Sequence, residues 1–167
     1  EFYKNILQYE SQNVRALNNL AMYYSEQGKI KEAEDLYWQA VDTKNNVPAP
    51  YYNLGNILRD RGDIAGALEL YKKSIEYDPS FVYSYMNIAV IYADQGNLTG
   101  AIEMLEKVKE LKPNEARVYY NLSLLYLAQK NNDLALENLL MADKLAGRDS
   151  EVRAIVDDLM GRLEKKK

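Results

Sequence analysis

The chain contains neither cysteine nor histidine. Without cysteine it can form no disulfide and offer no thiolate nucleophile. It would fold equally well in an oxidising or a reducing compartment, so localisation stays open. Without histidine it lacks the commonest general base and the commonest transition-metal ligand. Triad-type and metal-assisted catalysis are therefore hard to build: the chain is not expected to be an enzyme, and no metal or cofactor is expected. Long apolar runs are missing as well. None approaches the roughly 20 residues that a membrane-crossing helix needs, so membrane insertion is not expected. Nor is there an excess of positive charge: the net charge is -4 with acids and bases interspersed, which leaves no footprint for a nucleic-acid backbone. What remains, 47% hydrophobic and 28% charged residues, is the composition of a folded chain with buried surface.

What is present is a repeat. Leu17-Asn-Asn-Leu20-Ala21, Tyr51-Tyr-Asn-Leu54-Gly55, Tyr85-Met-Asn-Ile88-Ala89 and Tyr119-Tyr-Asn-Leu122-Ser123 superpose in register. The same register aligns Tyr24, Leu58, Tyr92 and Tyr126, then Ala33, Ala67, Ala101 and Ala135, then Tyr37, Tyr71, Leu105 and Leu139. The spacing is 34 residues, and this pattern of aromatic, Leu, small residue, Tyr and Ala resembles the tetratricopeptide repeat (TPR). The resemblance implies an all-α, right-handed TPR solenoid of antiparallel helix pairs, with repeats at 14–47, 48–81, 82–115 and 116–149. Residues 1–13 fit the second helix of a truncated preceding repeat, with Phe2 and Tyr3 at aromatic positions and Ile6 in the core register. The expectation is a piece of a longer array; a cloning remnant at Glu1-Phe2 is the other reading of the first residues.

Within each repeat, apolar residues recur at helical spacing, as in Tyr51, Leu54, Leu58 and then Ile64, Ala67, Leu68, Tyr71 and Ile75. Gly28, Gly62 and Gly96 fall where the first helix of each pair must end in a left-handed residue. The fourth repeat has Lys130 there, and a looser turn is expected, with Asn131 the residue able to reach that conformation. Asp78-Pro79 and Lys112-Pro113 should end second helices, with Asn45, Asn46 and Pro48 doing so in the first repeat and Gly147 in the fourth. Ala21, Gly55, Ala89 and Ser123 are placed to face Ala33, Ala67, Ala101 and Ala135, small against small, so that the two backbones approach closely. Residues 150–167 read as a polar capping helix with Val152, Val156, Leu159 and Leu163 inward and a basic tail outward.

In the TPR family the first helices line a concave groove that holds ligands. Carried onto this chain, the resemblance places Asn19, Tyr52, Asn53, Asn56, Tyr83, Met86, Asn87, Arg117, Tyr120 and Asn121 in a peptide-binding groove, with Arg15, Asn18, Met22, Glu26, Arg59, Asp60, Val90, Asp94 and Leu124 beside them. The row Asn19, Asn53, Asn87, Asn121, one per repeat, is the feature of most interest. An asparagine amide both donates and accepts, so it can hold a peptide backbone whatever the side chains. It is also a poor mid-helix residue, which argues for a use. Similar asparagine rows line the O-GlcNAc transferase repeats and hold peptide in the peroxisomal import receptor. The carboxylate clamp of chaperone-binding TPR domains is matched only at Asn56, Asn87 and Arg117. Tyr52 and Asn121 replace two of its cations, which removes most of the charge that carboxylate recognition needs. The functional expectation is a protein-interaction module that binds a protein or peptide as adaptor or scaffold. A self-associating homo-oligomer and the substrate-recognition part of a larger enzyme such as a glycosyltransferase are the alternatives.

Overall fold

A computed structural model describes residues 2–43, 46–146, 153, 154, 157, 158, 160 and 161. Among the described residues it holds nine α-helices and no strand: α1 Phe2–Tyr9, α2 Val14–Glu26, α3 Ile30–Asp42, α4 Pro48–Asp60, α5 Ile64–Tyr77, α6 Val82–Asp94, α7 Leu98–Leu111, α8 Ala116–Ala128 and α9 Asn132–Ala146. The all-α class expected from the sequence is the one that forms. The chain divides into two compact units, residues 1–84 and 85–167, with the boundary inside α6.

The turns between paired helices share one construction. Gly28, Gly62 and Gly96 have φ of 74°, 87° and 75°. In each turn the glycine N–H donates three residues back and the next N–H donates five residues back, as in Gly62 to Arg59 O and Asp63 to Leu58 O, both 2.9 Å. This pair of bonds closes the helix carbonyls in the Schellman manner. The fourth turn is no looser than the others. Lys130 itself adopts φ 62°, and its N–H reaches Leu127 O at 2.9 Å while Asn131 N–H reaches Tyr126 O at 2.8 Å. Asn131 does not take the left-handed position because its side chain begins the next helix, accepting from Leu134 N–H at 3.3 Å. Asp63 and Asn97 cap α5 and α7 in the same way, each at 3.0 Å. One further expectation changes. Pro48 does not end a second helix; it is the first residue of α4, where its missing N–H and fixed φ are harmless. α3 ends instead at Asp42, with the Thr43 hydroxyl donating to Ala40 O at 2.7 Å. Asn45 and Gly147 lie outside the described residues, as do Val152, Val156, Leu159 and Leu163.

In the first unit α2 packs on α3 and α4 on α5, around Ala21, Ala33, Tyr37, Val41, Tyr51, Leu54, Ile57 and Leu70. Each large side chain buried there contributes about 1.5–3 kcal/mol. In the second unit α8 packs on both α7 and α9, and Ile88, Leu105, Val118, Leu122 and Leu139 are buried. The small-residue row is buried throughout, with Ala21, Ala33, Ala67, Ala101 and Ser123 at 0% exposure. Gly55 is special within it. A Cβ there would stand 2.7 Å from Tyr71 Cε1, because the Tyr71 hydroxyl donates to Asn56 Oδ1 at 2.7 Å and so draws its ring across α4. In α2 the position of Asn56 is held by Met22, and Ala21 coexists with Tyr37.

Candidate functional site

Residues three, four and seven apart share a helix face, so each first helix carries one outward stripe. Of the ten groove residues expected from the sequence, Tyr83 and Arg117 are exposed and the other eight are half-buried. In the first unit the structure links the asparagines through a residue that the row itself omits. Asn53 Nδ2 donates to Asn18 Oδ1 at 3.0 Å, and Asn18 Nδ2 lies 3.4 Å from Asn19 Oδ1 and 3.5 Å from Met22 Sδ. Asn18 is buried at 8% exposure. Part of the hydrogen-bonding capacity of Asn53 is thus used to join α4 to α2, and part of that of Asn19 to hold Asn18 within α2. A buried amide without these partners would cost about 1–3 kcal/mol, so the Asn18 link is structural.

Tyr52 sits in an aromatic cluster. Its ring centroid is 5.5 Å from Phe81 and 6.0 Å from both Tyr71 and Tyr83, and Phe81 is 5.5 Å from Tyr83, edge-on. Tyr83 is 58% exposed, so the cluster has an apolar outer surface of the kind that anchors protein contacts. Phe81 was not singled out by sequence reasoning. It lies in the turn before α6, outside the repeated helical positions, and its rarity among fifteen tyrosines was the available signal. Arg59 completes this patch. Burial works against its guanidinium, but the hydrogen bonds to Asp60, at 3.1 and 2.9 Å, outweigh that and hold it above its ordinary value together with Tyr71 and Tyr52.

In the second unit, Met86, Asn87, Val90 and Ala93 of α6 and Asn121, Leu124 and Leu125 of α8 line a cleft of about 280 Å³, with Leu105 of α7 at its base. Val90 is 53% exposed and Leu124 39%. The cleft is mostly apolar with two amides on its walls, at the small end of the range for ligand pockets; it has room for a side chain. Arg117 and Tyr120 do not line it. Arg117 stands one helical turn before Asn121 on the outer stripe of α8. Ala93, Leu105 and Leu125 were not expected at the site, because depth between helices depends on side-chain volumes that a repeat pattern does not encode. On the second-helix side of the first unit, a larger recess of about 480 Å³ lies beside Trp38, Leu70 and Lys73. No group of acids suited to a metal ion occurs among the described residues, and no helix among them is long and apolar enough to cross a membrane.

Models of the tetratricopeptide repeat match residues 14–47 and 116–148, and a TPR repeat model matches residues 55–96 and 91–130. A search of curated proteins gives no significant match. Among solved structures the chain resembles MamA, at 24% identity over 86% of this chain and 84% of that one with a TM-score of 0.75. It also resembles YrrB, described as a TPR protein with an unusual peptide-binding site, at 23% identity over 94% and 80% with a TM-score of 0.71. A third is TTC0263, a thermophilic TPR protein of Thermus thermophilus, at 20% identity over 95% and 87% with a TM-score of 0.70. At these identities the likeness is one of fold.

Proposed function

We propose that this chain, which belongs to the tetratricopeptide repeat family of protein-interaction modules, holds an extended segment of a partner protein on the outward stripes of its first helices, in an adaptor or scaffold role. The observation that carries this reading is the composition of those stripes. Asn19 and Asn53 in the first unit, and Asn87 and Asn121 in the second, set amides beside apolar surface that water would otherwise cover, at Tyr52 and Tyr83 in one unit and at Val90 and Leu124 in the other. Amides recognise a backbone and apolar surface recognises side chains. Catalysis has no part in this reading. The likeness to YrrB, itself described as having a peptide-binding site, is in keeping with it.

The test is calorimetry with the strongest binder selected from a random dodecapeptide library on the whole chain. Asn53→Ala with Asn121→Ala removes one amide from each unit while leaving a better helix former in place. Each lost hydrogen bond is worth about 0.5–1.5 kcal/mol, so affinity should fall about 5- to 150-fold. Lys72→Glu with Lys107→Glu, on α5 and α7, should change it by less than about threefold, as exposed single charges do. The reverse pattern would reject the first-helix stripes and transfer the interaction to the second-helix side, where Trp38 is 42% exposed.

A further inference from the structure

The last residue of α4 is Asp60 and the last residue of α6 is Asp94. A carboxylate at a helix C-terminus faces the negative end of the helix dipole and is unfavourable there. In α4 Arg59, the preceding residue, forms an ion pair with Asp60 at 2.9 Å, whereas α2 also ends in an acid, Glu26, with no basic residue in its last turn. In the second unit the residue before the acid is Ala93. Among the described residues Asp94 has no hydrogen-bond or ion-pair partner, and it is exposed. Ala93 instead forms part of the cleft wall, with Val90 one turn before Asp94 on the same stripe. Where α4 carries Arg59, α6 thus carries an alanine of the cleft wall, and the carboxylate that follows it, one turn beyond Val90, is left without a cation. Neither Asp94 nor Arg117 lines the cleft; each stands one turn from a lining residue, Asp94 after Val90 at the end of α6 and Arg117 before Asn121 near the start of α8.

We propose that the cleft between α6 and α8 receives a protein segment carrying an aliphatic side chain with a lysine or arginine within two residues of it, the aliphatic group entering between Val90 and Leu124 and the cation pairing with Asp94 as Arg59 pairs with Asp60. This inference rests on the peptide-binding reading above and adds the ligand's chemistry. The volume of about 280 Å³ suits one leucine-, isoleucine- or methionine-sized group, and the apolar wall gives a charged side chain nothing to pair with inside. A cation on the neighbouring residue stays at the rim, half in water, where pairing is modest and sensitive to salt.

The test is selection of a random dodecapeptide phage library on the whole chain and on four variants, each checked for folding by circular dichroism. The wild-type chain should enrich peptides with an aliphatic residue and a Lys or Arg within two positions. Asp94→Lys and Ala93→Arg should both lose the basic preference, the first by reversing the charge and the second by supplying the cation internally. Asp94→Asn should bind the leading wild-type peptide about 2- to 5-fold more weakly at low salt, a difference that shrinks as salt is raised. Asn121→Ala with Leu124→Ser should lose the whole family of peptides. If the wild-type chain selects no basic residue, or if Asp94→Lys and Ala93→Arg select the same peptides as wild type, the cation site is wrong while the peptide-binding face stands. If Asn121→Ala with Leu124→Ser leaves binding intact, or if no peptide is enriched on the wild-type chain, the peptide-binding face falls and this inference with it.

Discussion

The two units use the same backbone positions for different surfaces. At one position of the outward stripe the first unit has Asn18 and Tyr52 where the second has Met86 and Tyr120; one turn on, it has Met22 and Asn56 where the second has Val90 and Leu124. The first unit ties its polar groups inward, Asn53 to Asn18 and Tyr71 to Asn56, and shows aromatic rings outward. The second has aliphatic groups on the walls of a cleft. The difference teaches that the repeat fixes where a side chain stands, while the chemistry offered at that place is set residue by residue. It also shows that polar residues on the stripe are not all available to a ligand, since some join neighbouring helices.

The sharpest way to break this comparison is at Gly55. Gly55→Ala would press a methyl against the Tyr71 ring that Asn56 holds in place, and should destabilise the protein by about 1–3 kcal/mol in chemical denaturation, as overpacking does. Adding Tyr71→Leu converts the pair into the Ala89 and Leu105 of the second unit and should recover part of the loss. An unchanged Gly55→Ala denaturation curve would mean that the hydrogen bond does not fix the ring.

A second difference appears on titration. Burial, assisted by the nearby Glu26 carboxylate, pushes the Tyr37 hydroxyl up to about 12. The equivalent place in the second unit is Leu105 or Leu139, which cannot ionise. Because the folded value lies above the unfolded one, the stabilisation is fully present below pH 10 and is lost as pH rises toward 12. Tyr51 is raised in the same direction by burial and by Tyr77. Stability should therefore fall between pH 10 and 12, and Tyr37→Phe should flatten the fall while changing little near neutral pH. Alkaline denaturation followed by circular dichroism measures both.

Smaller effects separate the turns. Lys130 occupies a left-handed conformation that glycine occupies in the other three. Lys130→Gly should stabilise by about 0.5–1 kcal/mol, while Gly96→Ala should cost about as much, because only the glycine avoids the Cβ clash. Thermal melts of the two variants moving in the same direction would contradict the shared construction. Smallest of all is the change in peptide affinity from Lys72→Glu with Lys107→Glu, which should stay within about threefold.

Much of the fold was legible because its signals are local. Gly28, Gly62 and Gly96 mark left-handed backbone, Asp78 and Lys112 stand just after α5 and α7 as the following prolines require, and the alanine row needs close helices. Lys130 was misread because the two turn bonds there are made by backbone groups, which Lys supplies as well as Gly at the cost of some strain. Pro48 was misread because a proline after one helix is equally a proline starting the next. For the proposed site the sequence offers candidate positions and not the surface they form. Asn18 looks like its neighbour Asn19 in sequence, and only packing reveals that it is the buried link. Phe81 and Ala93 matter through what stands next to them, the rings of Tyr52 and Tyr83 in one case and the carboxylate of Asp94 in the other.

The most direct test of the central claim is to map the contact surface of a library-selected dodecapeptide by NMR, titrating it into the isotopically labelled whole chain and following backbone amides and Asn side-chain amides. The account predicts that shifts concentrate on α2, α4, α6 and α8, with the side-chain amides of Asn53 and Asn121 among the most affected and α3, α5, α7 and α9 nearly silent. Shifts confined to the second helices, centred on Trp38 and Lys73, would contradict it.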